Sequence, residues 1–120
     1  MEKNLTKGKI GENIAVEFLM KKGFKILARN WRYSRYGEID VIAIDGQTLV
    51  FIEVKSRSSL NFGYPVEAIN FSKIEKMKNL AEIYLNENSD LKFIELRFDA
   101  IGILLKKQPE ITYYKDIYQF

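Results

Sequence analysis

The chain has 120 residues, the size of one domain, and a chain of that length buries roughly two-thirds of its unfolded surface, enough for a core. Apolar residues make up 47% and charged residues 29%, the balance of a globular protein, and the net charge of +3 suits a polyanion partner. Cysteine and histidine are both absent, which excludes disulfides, thiolate or imidazole metal sites and Ser-His-Asp or Cys-His catalysis; acid–base or metal chemistry then falls to Asp, Glu, Lys, Tyr and the backbone, and oxygen donors favour Mg2+ or Mn2+.

The opening stretch, MEKNLTKGKIGENIAVEFLMKKG, is too charged for a signal peptide and holds no membrane-length apolar run. A cytoplasmic location and no membrane partner are expected. Residues 6–22 read as a helix: Ile10, Ile14 and Phe18, with Ala15 and Leu19, form an apolar stripe, Thr6 suits the N-cap, and Gly23 suits the position after the last turn. Glu12 lies beside that stripe, and periodicity leaves open whether it is solvated or faces a site. Residues 24–31 read as a strand in which Phe24, Ile26 and Ala28 alternate with Lys25, Leu27 and Arg29. A polar, aromatic loop follows as far as Glu38. Arg29, Arg32 and Arg35, interleaved with Trp31, Tyr33 and Tyr36, make a basic–aromatic patch able to hold phosphates and stack on bases; the alternative is a solvated loop with Trp31 in the core.

Strands follow at 38–44 and 48–55, joined at Asp45-Gly46, and both carry Val, Ile and Phe on both faces, so the sheet is expected to be covered on each side. Residues 56–65 form a polar loop in which Gly63 and Pro65 read as turn residues. The next helix is placed at Ser72 to about Asn86, with Ser72 and Glu75 as a capping box and Ile74, Met77, Ala81 and Tyr84 as its apolar face; residues 65–71 leave an earlier start open. Residues 91–105 read as a strand with room for a break, Lys106–Pro109 as a turn, EITYY as a last strand, and KDIYQF as a short helix or docking segment. Asp99, beside Arg97, reads as half of a structural ion pair. The order of helix, three-strand meander, helix and strands implies one α/β domain over residues 1–120, a mixed central sheet flanked by helices.

Charged residues intrude on the buried-looking hairpin at Glu38, Asp40, Glu53 and Lys55. A two-residue Asp45-Gly46 turn sets Asp40 opposite Phe51 and Glu38 opposite Glu53; a four-residue loop sets Asp40 opposite Glu53 and Glu38 opposite Lys55. Both registers put Asp40, Glu53 and Lys55 on one face, and a bulge would break that alignment. Two carboxylates about 5 Å apart repel by about 3 kcal/mol at an effective dielectric near 20, a repulsion that a cation or Lys55 relieves. Asp40 and Glu53 suit a hard metal ion that polarises a phosphoryl oxygen, and Lys55 suits orienting a water and offsetting charge on phosphorus. Arg57 and Lys73 are candidates for phosphate contact or for solvation.

Asp40, twelve intervening residues and then Glu53-Val54-Lys55 resembles the PD-(D/E)XK nuclease superfamily, with Ile39 where the motif has proline. Further stretches, KGKIGENIAVEFLMKKGFKILARNWR, GEIDVIAID, LVFIEVKSR, FGYPVEA, the SKIEK helix and LRFDAIGI, resemble the YraN-like family of uncharacterised bacterial proteins, itself similar to archaeal Holliday-junction resolvases. The resemblance implies a restriction-endonuclease-like domain. It implies Asp40, Glu53 and Lys55 as the catalytic core, Asp40 and Glu53 as ligands of Mg2+ or Mn2+, and Glu12 as a site-facing acid. Glu38 stands as a supporting candidate. Arg29, Arg32, Arg35, Arg57 and Lys73 would hold nucleic acid, DNA in the first instance. The expected activity is endonucleolytic hydrolysis, on branched or single-stranded DNA under one reading, and a homodimer would suit two cuts on one substrate. The alternatives are a nucleic-acid-binding or scaffolding protein with a silent site, and acids that form only a structural ion network.

Overall fold

The computed structural model describes residues 6–59, 63, 65 and 69–118. Expectations for the 56–65 loop, for FGYPVEA and for an early helix start therefore fall largely outside the described residues. Helix α1 spans Lys7–Lys21, strands β1, β2 and β3 span Lys25–Tyr33, Gly37–Asp45 and Thr48–Arg57, helix α2 spans Phe71–Glu87, and strands β4 and β5 span Glu95–Leu104 and Glu110–Tyr114. The five strands lie in sequence order across one sheet. β1, β2 and β3 form an antiparallel meander, β4 runs parallel to β3 after the α2 crossover, and β5 returns antiparallel. This is the expected α/β domain with a mixed sheet flanked by helices.

The doubly apolar strands explain the layering. Leu49, Val50, Phe51 and Ile52 of β3 are all fully buried because each face of the sheet carries a helix. On one side Ala15, Val16 and Leu19 of α1 meet Val41, Ala43, Val50, Ile52, Ile101 and Ile103. On the other, Met77, Leu80, Ala81 and Tyr84 of α2 meet Ile39, Ile42, Leu49, Phe51 and Phe98. Burying that much aliphatic and aromatic surface, at about 25 cal/mol per Å2, drives the sandwich together.

Several local details differ from the expectations. The stripe on α1 is rotated: Ile10 is exposed, and the inward face is Gly11, Glu12, Ala15, Val16 and Leu19. Small side chains at that face let the helix approach the sheet, and a Cβ built on Gly11 would lie 1.7 Å from Ser56 Oγ and 2.9 Å from Ser56 Cβ. β1 runs two residues further than expected, through Arg32 and Tyr33, which pair with Glu38 and Gly37. Its register shifts between Ile26 and Ala28, so Ile26 packs on the α1 side while Leu27 and Ala28 pack on the α2 side, ending the simple alternation. The hairpin turn is centred on Gly46-Gln47, since Asp45 still pairs with Thr48, and Gly46 takes φ 63° at no steric cost.

The α2 cap lies two residues earlier than Ser72. Asn70 is extended, and its side chain accepts from Lys73 N at 2.9 Å. No Ser72–Glu75 box forms, and one buried Glu75 carboxylate oxygen has no hydrogen-bond partner among the described residues. β4 begins at Glu95 because Ile94 and Glu95 both donate to Gln47 O while Leu91 and Phe93 pack against the α2-side core. The tail docks: Ile117 N donates to Phe98 O at 2.7 Å, and Ile117 and Tyr118 join the α2-side core. Asp99 is fully buried, accepting from Arg97 Nε at 2.9 Å and Nη2 at 3.0 Å, from the Tyr113 hydroxyl, and from Asp116 N at 2.8 Å. It is the structural ion pair expected.

The Gly11 contact yields a sign test. Gly11→Ala should destabilise the protein by about 1–3 kcal/mol in urea denaturation, through overpacking against Ser56. Gly8→Ala, in the same helix with nothing nearer its Cβ than Thr6 Oγ1 at 4.0 Å, should be neutral or stabilise by up to about 1 kcal/mol through helix propensity.

Candidate functional site

The candidate site forms where the hairpin stops pairing. Partners run in strict register from Asp45↔Thr48 to Val41↔Ile52. One further step would set Asp40 opposite Glu53, the second of the two expected registers. The recorded pairing ends there, and Asp40 Oδ2 accepts the Val54 N–H at 2.8 Å. On its other edge β2 pairs Arg29↔Val41 and then Trp31↔Ile39, passing over Asn30 and Asp40. Asn30 sits at φ 51°, a left-handed conformation that asparagine tolerates better than most residues. Ile39 belongs to the α2-side core and Val41 to the α1-side core, so alternation in β2 breaks across Asp40. The single face expected from alternation is thus interrupted at Asp40, yet its carboxyl still meets that of Glu53.

Glu53 is 3% exposed. Its Oε1 lies 3.7 Å from Lys55 Nζ and 3.5 Å from Lys73 Nζ, while its buried Oε2 has no hydrogen-bond partner among the described residues. An unpartnered buried oxygen costs roughly 1–3 kcal/mol, more when charged. Burial, and next the Glu53 carboxylate, push the Asp40 carboxyl up to about 7, against the opposing pull of the Val54 N–H. Both observations describe a pair of acids short of positive charge.

Glu12 enters from α1 at 6% exposure, and among the described residues its hydrogen bonds and ion pairs are to Oε1: Arg29 Nη2 at 2.9 Å, Arg29 Nε at 3.2 Å, Asn30 Nδ2 at 2.7 Å and Lys9 Nζ at 3.6 Å. It is buried and paired rather than solvated, because the Gly11–Ser56 contact draws α1 onto β3. Glu12, Asn30, Glu38, Asp40 and Val54 line a cleft of about 260 Å3 together with the first turn of α1. Arg29 is paired with Glu12 inside this network, its side chain 37% exposed. Trp31 packs edge-on against Tyr84 at 5.3 Å, as a core residue. Arg32 pairs loosely with Glu38 at 3.6 Å, Arg35 is exposed, and Arg57 Nη1 donates to Ser56 O at 3.0 Å. Lys73, weighed for phosphate or solvent, stands instead at Glu53.

Sequence reasoning missed Gly11 and Asn30. The signal for Gly11 was a glycine inside a helix directly before an acid, and helical glycine with no entropic benefit usually marks a close approach. Nothing local in the sequence announces the left-handed Asn30.

The donor set suits a hard cation. Two carboxylates with one orphaned buried oxygen match the way Mg2+ is held, by one or two carboxylates with water and substrate oxygens completing the shell. Among the described residues no three acidic groups stand close enough to complete a ligand set alone.

The fold and site together define an α/β domain with a helix on each face of its sheet and, at the open end of its central hairpin, a buried Glu53, a half-buried Asp40 and a lysine. The chain belongs to the uncharacterised protein family UPF0102, whose profile matches residues 11–103. A UPF0102 protein of Dictyoglomus turgidum is 48% identical over 104 residues, covering 87% of this chain and 86% of the relative. Another, of Natranaerobius thermophilus, is 44% identical over 117 residues, covering 96% and 98%. One of Rhodococcus opacus is 42% identical over 120 residues, covering 98% and 100%. Among solved structures, an EndoMS–dsDNA2 complex overlays with a TM-score of 0.44 at 20% identity, covering 82% of this chain and about a third of that chain, 36%. No helix among the described residues is long and apolar enough to cross a membrane.

The raised pKa of Asp40 has a consequence for stability. Without metal, the folded state holds a proton that the unfolded chain releases, so this group's contribution falls as pH rises from the ordinary carboxylate range near 3.8 to about 7. Asp40→Asn removes that loss and keeps an oxygen for the Val54 N–H. In EDTA, Asp40→Asn should be more stable than the unmodified protein by about 1–3 kcal/mol at pH 8 and by much less at pH 4.5, measured by urea denaturation.

Proposed function

We propose that the protein is a divalent-metal-dependent nuclease that hydrolyses phosphodiester bonds, with DNA as its substrate. The observation that carries this reading is the pairing of a half-buried Asp40 with a buried Glu53 that has one unpartnered oxygen among the described residues and two ammonium groups within 4 Å of the other. Asp40 and Glu53 would hold Mg2+ or Mn2+. A bound cation of this kind supplies Lewis acidity toward the phosphoryl oxygen and a water of lowered pKa.

The remaining roles belong to the chain's own side chains. Lys55, partly exposed beside Glu53, would orient the attacking water and offset negative charge that builds on the phosphoryl group. Glu12, held rigidly through Oε1, leaves its second oxygen as an acceptor at the cleft. The Val54 N–H fixes the Asp40 carboxyl, so one of the two acids needs no reorganisation on loading. The family is uncharacterised, so support for this chemistry comes from the residues themselves.

Purified protein incubated with duplex, single-stranded, flapped and four-way DNA and with RNA should cut at least one DNA substrate when Mg2+ or Mn2+ is present, and none in EDTA. Asp40→Ala and Lys55→Ala should each lower the rate by about 100-fold or more. Cleavage unchanged in both variants would sink the assignment. Binding of nucleic acid by the unmodified protein without cleavage in either metal would leave a nucleic-acid-binding protein with a silent site.

A further inference from the structure

A second cleft opens on the far side of Glu38 from Asp40. It has a volume of about 170 Å3, and its rim carries Arg32, Lys73 and Lys76 above a floor of Met77 and Leu80. Glu38 lines both this cleft and the one containing Glu12 and Asp40, so a single side chain separates them. Three cations line this cleft with Glu38, of which Arg32 pairs with Glu38 and Lys73 with Glu53. An apolar floor lowers the local dielectric and strengthens the attraction those cations exert on an anion.

Lys73 is committed to Glu53 at 3.5 Å, while Arg32 and Lys76 are placed and yet weakly committed. Arg32 and Glu38 are 3.6 Å apart, with side chains 65% and 39% exposed, a pair worth little in water and readily exchanged. Lys76 makes no ion pair among the described residues; its ammonium lies 5.4 Å from the centre of the Tyr36 ring, and the Tyr36 hydroxyl is held by Asn79 Nδ2 at 2.9 Å. The stem of Lys76 lies against Gly37, where a Cβ would come within 3.0 Å of Lys76 Cε. Glycine at the start of β2 thus makes room for that lysine to lie across the cleft.

We propose that Arg32 and Lys76 form a second phosphate subsite, which takes a phosphodiester of the same nucleic-acid strand next to the one positioned at Asp40 and Glu53. The proposal rests on the hydrolytic reading for which phosphate is the scissile one, and its own content is a backbone contact that does not need the metal. Glu38 occupies the place of the missing anion in the free protein and gives up Arg32 when a phosphate arrives. The subsite reads charge and spacing rather than bases, so it serves every sequence alike.

The test is fluorescence anisotropy with labelled single-stranded and duplex oligonucleotides in EDTA across a range of salt concentrations. Lys76 is exposed at the surface of α2, so Lys76→Ala leaves the core intact. It should weaken binding by about three- to tenfold and lower the salt slope by about one. Glu38→Gln, which frees Arg32 from its partner, should tighten binding by about threefold. Lys92→Ala, which removes one exposed charge in the α2–β4 connection, is the control and should change neither quantity appreciably. The subsite is overturned if Lys76→Ala behaves like Lys92→Ala, if Glu38→Gln fails to tighten binding, or if the unmodified protein binds no oligonucleotide. Absence of metal-dependent cleavage with these binding effects intact would overturn the hydrolytic reading instead and leave the subsite standing.

Discussion

Two neighbouring carboxyl groups, the half-buried Asp40 and the buried Glu53, are the constraint around which the rest of the site is arranged. Acids about 5 Å apart repel by about 3 kcal/mol at an effective dielectric near 20, and here burial adds to the cost. The protein offsets this only in part. Val54 N–H serves Asp40, and Lys55 and Lys73 approach one oxygen of Glu53, leaving Asp40 with a raised affinity for its proton and Glu53 with an unpartnered oxygen. Asp99, in the neighbouring strand, shows what a saturated buried acid looks like. It receives two guanidinium N–H groups, a phenol and a backbone amide. One sheet therefore contains a fully satisfied carboxylate that locks β4, β5 and the tail, and an unsatisfied pair at the open end of the hairpin.

The fold exposes that pair on one side and encloses it on the others. β3 is covered by both helices, so its charged residues appear only where the two layers end, beyond Ile52. Gly11 brings α1 against Ser56 and with it Glu12. The Asn70 cap sets the start of α2 so that Lys73, in its first turn, reaches Glu53. Strand irregularities fall at the same level, where Asn30 is left-handed and pairing skips Asn30 and Asp40. Irregular backbone held in place by its surroundings is where functional groups tend to be displayed.

Much of this was legible in the chain. Apolar residues on both faces of β2 and β3 announced a sheet covered on each side, Asp45-Gly46 located the hairpin to within one residue, and charges in a buried run marked out the candidate site. What could not be read were features decided by packing. The α1 stripe rotates toward Gly11 and Ala15 because small residues permit a closer approach than Ile10 does. The α2 cap goes to Asn70 because its side chain reaches Lys73 N, whereas the Ser72–Glu75 pattern has equal local merit and loses. Arg29 looked like a surface cation and is bound to Glu12, a pairing between residues seventeen apart that no local pattern encodes. Periodicity also assumed unbroken strands, and the bulge in β1 and the break at Asp40 both violate it.

Titration of the metal-free protein with Mn2+, following the free ion by electron paramagnetic resonance at pH 6 and pH 8, bears most directly on whether the Asp40–Glu53 pair is built for a cation. One Mn2+ should bind per chain, more tightly at pH 8 because Asp40 must release its proton, and Asp40→Asn and Glu53→Gln should each abolish that site. Absence of binding, or binding that survives both substitutions with no dependence on pH, would contradict it.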